Sequence, residues 1–295
     1  MQAGIIKIGR RLVLKKGLKG LKAVAFVVVA AVAALYYYIE LPAINIHSPG
    51  FWKFIIFVML IVTVEVWLMN HRKAAGGGRY RGNISAKEFF SDFKTQAGSV
   101  LFKTAFVCTV ILVVLYVAGN ILSSSVINAS KYQQLLKVET RNFTDDIKEV
   151  SYDKIPLLDK DSASIIGTRV MGTMVDMVSQ YEVDDMYSQI NYKEKPVRVT
   201  PLRYGNLIKW FTNHKNGIPA YIRIDMTTQE AECVRLTEGI KYSKSDHFSR
   251  YIYRHLRFAY PTYIFDDINF EIDDNGTPYW VCPVTVSYTH LRAHE

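Results

Sequence analysis

Three long apolar runs in residues 1–122 limit most strongly what this chain can fold into. A helix needs about 20 mostly apolar residues to cross the roughly 30 Å hydrocarbon core of a bilayer. The sequence therefore predicts three membrane-spanning helices, over Lys22–Glu40, Phe51–Asn70 and Ser99–Leu122. The first run also fits a cleaved signal peptide, with a small-residue site at Ala31-Val-Ala33, but the aromatic residues Tyr36 to Tyr38 at its exit favour a retained anchor.

Basic residues predict how these helices are oriented. The net charge is +9, and it arises from residues 1–122, which hold fifteen Lys and Arg against four Asp and Glu, whereas residues 123–285 hold twenty against twenty-two. A nucleic-acid-binding protein clusters its excess on a folded face, but here the excess precedes the first run and lies between the second and third. The segment LPAINIHSPG, between the first and second, has no Lys or Arg. The positive-inside rule then predicts a multi-pass plasma-membrane protein with its N-terminus inside and the chain after Leu122 outside, in contact with the lipid bilayer and not with nucleic acid.

Two ionisable residues fall well inside the predicted spans. Glu65 and Lys103 lie at similar depths from the inner surface, at about 1.5 Å per residue, so they are a possible intramembrane ion pair. Intramembrane charges are candidates for an ion or proton relay. A structural ion pair with side chains that reach toward the interface is the simpler interpretation.

The segment between the second and third runs is predicted to be a linker and a short surface helix. AGGGRYRGN lacks the Gly-Lys-Ser/Thr of a phosphate-binding loop, which leaves a flexible linker. Ser85 and Glu88 have the spacing of a capping box, and Phe89, Phe90 and Phe93 fall on one side of the following helix, as in an interfacial helix.

The soluble part contains two segments that match each other. YGNLIKWFTNHKNGIPAYI and FSRYIYRHLRFAYPTYI both read apolar-x-x-aromatic-apolar-x-x-His, followed by Pro-x-Tyr-Ile. The spacing i, i+3, i+4, i+7 predicts a helix with one apolar stripe, which proline then ends. Each segment leads into a predicted hairpin, the second with Asn275-Gly276 as its turn. The expected fold is an extracytoplasmic α+β domain of repeated helix–strand–strand units, with DSASIIGTRVMG opening a degenerate earlier copy.

This order resembles PepSY-like units, which are extracytoplasmic modules with a helix packed on an antiparallel sheet. The turn from Asp225 to Glu230 resembles the family's Asp-x-x-Thr-Gly-Glu turn, with Gln229 at the position of its glycine. The resemblance covers at most residues 160–284 and implies a binding or regulatory module. The chain as a whole also resembles uncharacterised membrane proteins of Gram-positive bacteria, which implies no activity.

The predicted organisation follows from these patterns. In chain order it is a basic cytoplasmic segment (1–21), a first span (22–40), an outer loop (41–50), a second span (51–70), a cytoplasmic loop with the interfacial helix (71–98), a third span (99–122), a stalk and extended segment (123–160), the α+β domain (161–285, with units at 204–236 and 248–284) and a foreign tail (286–295).

No residue constellation in the sequence predicts catalysis. His214 and His255 occupy equivalent places on the apolar stripes, so we expect packed histidines rather than metal ligands. Cys233 and Cys282 fall on the second strand of each hairpin, where buried thiols are favoured and a disulfide stays possible outside the membrane. The sequence has no Gly-x-Ser-x-Gly, His-Glu-x-x-His or Cys-x-x-Cys motif. We therefore expect a non-enzymatic protein without cofactor or metal.

Aromatic and basic residues near the end of the domain predict a binding surface. The possible members are Arg250, Tyr251, Arg254, Arg257, Tyr260 and Trp280. The favoured function is a membrane-anchored extracytoplasmic binding or regulatory protein that acts on cell-envelope proteins or peptides. The alternative is a subunit of a membrane transport or envelope-assembly complex that uses the Glu65 and Lys103 pair.

The last residues resemble a foreign sequence. VSYTHLRAHE is similar to a recurrent tail of metagenomic translations in which a sequencing adapter is read as protein. It follows VCPV at the end of a predicted strand, without a cap or linker. Although His290, His294 and Glu295 have metal-ligand spacing on a helix, we expect them to be foreign, and we expect the native chain to continue beyond about Val284.

Overall fold

The computed structural model of the chain describes residues 24–74, 100–135, 139–143, 149, 151 and 155–285. The chain divides into two compact units, Met1–Lys137 and Val138–Glu295. In the described residues the first unit contains helices, and the second combines helices with antiparallel strands. The expected interfacial helix with Phe89, Phe90 and Phe93, and the tail at 286–295, lie outside the described residues.

Three apolar helices lie in the described part of the first unit. They are α1 (Val24–Glu40), α2 (Pro49–Ala74) and α3 (Val100–Leu122). Two stretches, Pro49–Met69 and Val100–Leu122, are long and apolar enough to cross a membrane, and few of their side chains are buried by protein. Among the described residues there are therefore two candidate membrane spans, which correspond to the second and third predicted spans, and the first predicted span corresponds to the shorter apolar helix α1.

A pair of threonines joins α2 to α3. Thr63 Oγ1 and Thr109 Oγ1 are 3.0 Å apart, and each also lies 2.8 Å from the carbonyl oxygen four residues earlier in its own helix. Both side chains are buried, whereas most other residues of α2 are only half-buried and most of α3 are exposed. An interhelical hydrogen bond of this kind contributes about 0.6 kcal/mol in a membrane.

A short helix, α4 (Ala129–Leu135), occupies part of the predicted polar stalk. The side chain of Asn128 donates to the carbonyl oxygens of Leu122 and Ser124, at 2.7 and 3.1 Å. Asn128 thus ties the start of α4 to the end of α3. The sequence did not predict the helix α4 because this segment has no apolar stripe. The side-chain hydrogen bonds of Asn128 order the segment instead.

The second unit is built on an antiparallel sheet. Its helices are α5 (Lys160–Thr173), α6 (Leu207–Asn213) and α7 (Ile252–Ala259), the last preceded by a 3₁₀ turn (Phe248–Arg250). The sheet contains β1 (Tyr181–Val183), β2 (Ser188–Tyr192), β3 (Lys195–Tyr204), β4 (Ile218–Asp225) and β5 (Ala231–Ile240). Strands β1 and β2 share one side of β3, β4 lies on its other side, and β5 forms the edge.

Four shorter strands follow α7. They are β6 (Ile264–Phe265), β7 (Asn269–Ile272), β8 (Pro278–Val281) and β9 (Val284–Thr285). Strand β7 pairs with β8 and β6 pairs with β9, each pair antiparallel.

The two faces of the main sheet carry separate cores. On one face the buried side chains Ile222 and Ile224 of β4 belong to the same cluster as Ala163 and Met171 of α5. Alternation along β4 turns Tyr221 to the other face. There it joins a cluster with the β3 and β7 residues Val197, Val199, Phe270 and Ile272. The unit is therefore layered, with a helix on one face of the sheet and the β7–β8 hairpin on the other.

The two predicted units have a similar order of elements and different strand pairing. In the first, α6 leads into the hairpin β4–β5, which is part of the main sheet. In the second, the strand that follows the helix is β6, which pairs with β9, and the predicted hairpin around Asn275-Gly276 forms from β7 and β8 outside the main sheet. Pro219 does not end α6 but lies inside β4, and the turn between them contains Gly217 at φ +75°. The matching sequence motifs of the two units therefore did not determine how their strands pair, because strand pairing depends on contacts between residues that are distant in the sequence.

The turn between β4 and β5 is closed by Asp225. Its Oδ1 accepts hydrogen bonds from the backbone N–H of Thr227 and Thr228 and from the Thr227 hydroxyl, at 2.6–3.0 Å. These bonds hold the pKa of Asp225 below its usual value despite partial burial. Gln229 has φ +61°, a left-handed conformation that favours glycine. Within this turn, Gln229 is therefore a position where glycine would fit the backbone with less strain.

Candidate functional site

The backbone of β5 forms an open sheet edge. Asp225 N–H donates to Glu230 O at 2.9 Å, so residues 225 and 230 are a hydrogen-bonded pair. Hydrogen-bonded and non-bonded pairs alternate along an antiparallel ladder. Ala231, Cys233 and Arg235 therefore stand in non-bonded pairs, and their N–H and C=O groups point away from β4. No strand among the described residues pairs with that side of β5.

Side chains on both faces hold this edge in place. Cys233 packs against the cluster under α5, and Val234 and Leu236 pack against the cluster under the β7–β8 hairpin. Arg235 forms an ion pair with Asp176 through two bonds of 2.8 and 3.0 Å. Both of these side chains are more than half exposed, so the pair contributes little to stability. The edge is thus ordered, and its outward backbone groups have no strand partner among the described residues.

An aromatic cleft of about 370 Å³ lies at the C-terminal end of β5. Tyr242, Tyr279 and Trp280 line it, together with Pro278 and the carboxylate residue Glu238. Trp280 is half-buried because its ring packs against Phe270, whereas Tyr279 is 44% exposed. An extended segment on β5 would therefore reach an aromatic surface beside the strand.

Tyr242 brings together two residues of the predicted binding surface. Trp280 Nε1–H donates to the Tyr242 carbonyl at 2.9 Å, and the Arg250 guanidinium lies 5.9 Å from the Tyr242 ring. His255 stacks on the same ring with 4.0 Å between centroids. Cation–π and stacking contacts of this kind fix the ring orientation. Sequence reasoning missed Tyr242 because it lies between the two matched units.

The other predicted surface residues occupy two further places. Arg254 lies over the ring of Tyr251, 5.5 Å from its centroid. Both residues are close in sequence to Arg250 and His255, which contact Tyr242. Tyr260 stacks on Tyr263 at 5.2 Å, in a separate aromatic group that includes Phe265. The predicted surface is therefore divided rather than continuous.

Arg257 was predicted to lie on the binding surface, and the structure corrects this prediction. It is buried, and its guanidinium donates to the carbonyl oxygens of Tyr260, Pro261 and Tyr263, the last at 2.6 Å. These three residues follow the last helical residue, Ala259. Arg257 therefore fixes the segment after the C-terminal end of α7, a role that the helical spacing did not distinguish from surface exposure.

A second cleft, of about 680 Å³, crosses the strand ends at the other end of the sheet. Arg223 lies over the ring of Tyr192, 4.2 Å from its centroid, and forms an ion pair with Glu232. Lys193, Lys195, Asp225 and Glu230 also line this cleft. Because opposite charges are mixed, the cleft has no single sign of charge that would select a ligand.

Glu65 and Lys103 do not form an ion pair in the structure, although both residues are described. Thr63 marks the face of α2 that meets α3. A helix turns about 100° per residue, which places Glu65 roughly 200° around the helix from that contact. Similar depth in the two helices was thus not sufficient for pairing, because the two charges project in different directions.

The remaining candidate ligands lie apart. His214 is half-buried and stacks on Trp210 at 4.4 Å, and His255 is exposed and stacks on Tyr242. Cys233 and Cys282 are free, half-buried thiols, and burial raises the pKa of each. Among the described residues no three His, Cys, Asp or Glu side chains form a group suited to a metal ion.

Comparison of the chain with protein family models, with curated proteins and with solved structures finds no match. The site is therefore characterised by its geometry, which is an ordered strand with outward backbone donors and acceptors beside an aromatic cleft. This arrangement can bind an extended chain.

Proposed function

We propose that this protein is a membrane-anchored, non-enzymatic binding protein that captures an extended segment of a cell-envelope protein or peptide as an additional strand on β5. The open edge of β5 carries this proposal. Strand addition is a recurrent mode of peptide recognition, in which the main chain provides affinity and neighbouring pockets provide specificity. The helix–strand–strand order and its resemblance to PepSY-like modules agree with a binding role.

The expected affinity follows from the number of outward groups. Ala231, Cys233 and Arg235 offer three donors and three acceptors. A net hydrogen bond contributes about 0.5–1.5 kcal/mol, and ordering a flexible peptide offsets part of that gain. A micromolar dissociation constant, roughly −8 kcal/mol, is thus within reach only if the aromatic cleft adds contacts.

The proposed location is the outer side of the plasma membrane. The basic segments before α1 and between α2 and α3 support an inside N-terminus. A membrane-impermeant maleimide should then label Ser130→Cys in intact cells, above the background of the three native cysteines. The matched variant Ser85→Cys should label only after permeabilisation, and the reverse pattern would contradict this topology.

Proline at position 235 tests strand capture. Proline is tolerated on an edge strand where its missing N–H faces away from the neighbour, so Arg235→Pro should keep the β4–β5 ladder and lose one outward donor. Arg235→Ala loses the same ion pair to Asp176 and keeps the N–H. The difference between these two variants therefore isolates the backbone group.

The probe is a set of twelve-residue peptides selected from a random display library on the full chain in nanodiscs. Peptides that add to β5 should bind Arg235→Pro at least roughly tenfold more weakly than Arg235→Ala, because the ring removes a donor and occupies the peptide's path. Equal binding to both variants, with the β4 amides equally protected, would refute capture at this edge.

The alternative function, a transport or envelope-assembly subunit, rests on Glu65 and Lys103. The proposed function predicts that Glu65→Gln combined with Lys103→Met leaves peptide capture intact. A loss of capture in that double variant, with the second unit still folded, would favour the alternative.

A further inference from the structure

We propose that the second unit also docks on the surface of an anionic lipid bilayer through an apolar patch formed by Leu207, Ile208, Phe211 and Phe248. This inference rests on the membrane anchoring proposed above. It concerns a face of the unit formed by α6 and the 3₁₀ turn, outside the groups that line the β5 cleft.

The patch consists of large side chains that the unit does not bury. Their exposed fractions are 45% for Leu207, 77% for Ile208, 55% for Phe211 and 50% for Phe248. Leu207, Ile208 and Phe211 lie within one helical turn of each other, and the ring of Phe248 lies 6.0 Å from that of Phe211. Contiguous exposed apolar side chains of this kind mark interaction surfaces.

A strained backbone presents Phe248 to solvent. Its φ is +48°, a left-handed conformation that is rare for a bulky residue. The Phe248 carbonyl is held by the guanidinium of Arg254 and by the N–H of Tyr251. Such strain persists only where surrounding contacts enforce it, and it concentrates at binding sites.

A buried hydrogen bond fixes the two halves of the patch to each other. Trp210, on α6, donates through Nε1–H to Asp246 Oδ1 at 2.9 Å, and both residues are buried. The Trp210 ring also contacts the rings of Phe211 and Phe248, at 5.0 and 5.6 Å. The exposed side chains are therefore presented by a rigid base.

The charge around the patch identifies its partner. Residues 205–217 and 247–265 contain no Asp or Glu and five basic residues. Arg257 is buried and Arg254 is bound to the Phe248 carbonyl, and the other three are Lys209, Lys215 and Arg250. The neighbouring carboxylate Glu182 is paired with Arg203, and Asp246 is buried. Apolar and aromatic side chains surrounded by cations are the pattern of interfacial membrane segments. Each such cation near an anionic lipid surface raises the equilibrium constant for docking by roughly fivefold.

The tether makes a small patch sufficient. The second unit is joined to α3 by one chain segment, so it stays close to the bilayer in which α3 is proposed to sit. Docking is then an intramolecular step with a high effective concentration. Four side chains and three cations need only a weak intrinsic affinity to hold the unit at the surface.

Photocrosslinking to lipid tests this inference. The full chain with p-benzoylphenylalanine in place of Ile208, an exposed position with little effect on folding, is incorporated into nanodiscs of phosphatidylcholine with and without phosphatidylglycerol. Lipid adducts should form in the discs with phosphatidylglycerol. A double variant with Lys209→Gln and Lys215→Gln should have an equilibrium constant for docking roughly 25-fold lower. The same photoreactive residue at Tyr279, which is similarly exposed but off the patch, is the matched control.

Each outcome decides the inference. Lipid adducts at 208 that require phosphatidylglycerol and the two lysines support it. Equal adduct yields at 208 and 279, no adduct at 208, or adducts at 208 with a second copy of the chain overturn it. Retention of the chain in the nanodiscs is measured separately, so a failure of membrane anchoring is distinguished from a failure of docking.

Discussion

The buried carboxyl of Asp246 should make the stability of the second unit depend on pH. It is 6% exposed and accepts the indole N–H of Trp210, and burial raises its pKa from 3.8 to about 6. The groups that face it include Arg250 and His214, whose charges partly offset the effect of burial. The perturbation is Asp246→Asn, which keeps an oxygen acceptor for Trp210 and removes the ionisation.

The magnitude follows from the shift. A raised pKa means that the folded unit binds the proton more tightly than the unfolded chain does, so this contribution to stability is complete below pH 3.8 and is lost as the pH rises through about 6. The difference of about two pH units corresponds to about 3 kcal/mol at 1.36 kcal/mol per unit. Carboxyls with lowered pKa values, such as Asp225 and Asp273, act in the opposite direction and are common to both proteins.

The assay is amide exchange of the β4 strand in the full chain in detergent micelles, at pH 4.5 and pH 7.5, corrected for the intrinsic exchange rate. Relative to the wild type, Asp246→Asn should gain about 2 kcal/mol in the free energy of unfolding between pH 4.5 and pH 7.5, because part of the full effect is already lost at pH 4.5. A difference between the two proteins that does not change with pH would refute the reasoning, as would a larger loss for the variant at pH 7.5.

Three further predictions use the same measurement. Gln229→Gly should stabilise the unit by up to about 1 kcal/mol because glycine adopts a left-handed φ without strain. The control Thr228→Gly, in the same turn, should destabilise the unit. A loss of stability in both variants would contradict the strain at position 229. Arg257→Met should cost about 2 kcal/mol by removing the hydrogen bonds from the buried guanidinium to three carbonyl oxygens, and a neutral result would contradict this structural role. Tyr221→Phe should cost about 1 kcal/mol through the lost 2.8 Å bond to the carbonyl of residue 276, while exposed Tyr279→Phe should be neutral, and equal effects would contradict the buried bond.

Local patterns in the sequence were sufficient for part of the fold. The second and third apolar runs correspond to α2 and α3, and the two predicted hairpins correspond to β4–β5 and β7–β8. Each depends on hydropathy or turn residues within a short stretch, which the chain displays directly. The Asn275-Gly276 turn, with Gly276 at φ +83°, is one such case.

Features that depend on distant contacts were not predictable. The β7–β8 hairpin packs on the sheet through Phe270 and Tyr221, residues far apart in sequence. The burial of Arg257 depends on a turn that follows its helix, and the edge position of β5 depends on the order of all the strands. The candidate site is therefore visible only once the topology is known, although Trp280 and Arg250 were found from composition.

Residue-resolved amide exchange of β5 tests strand capture most directly. The full chain in nanodiscs is compared with and without a selected peptide. Strand addition predicts slower exchange at Ala231, Cys233 and Arg235, whose N–H groups point outward, and little change at Glu232 and Val234, which already pair with β4. Protection that is absent from β5, or that falls equally on all five residues, would contradict capture of an extended segment at this edge.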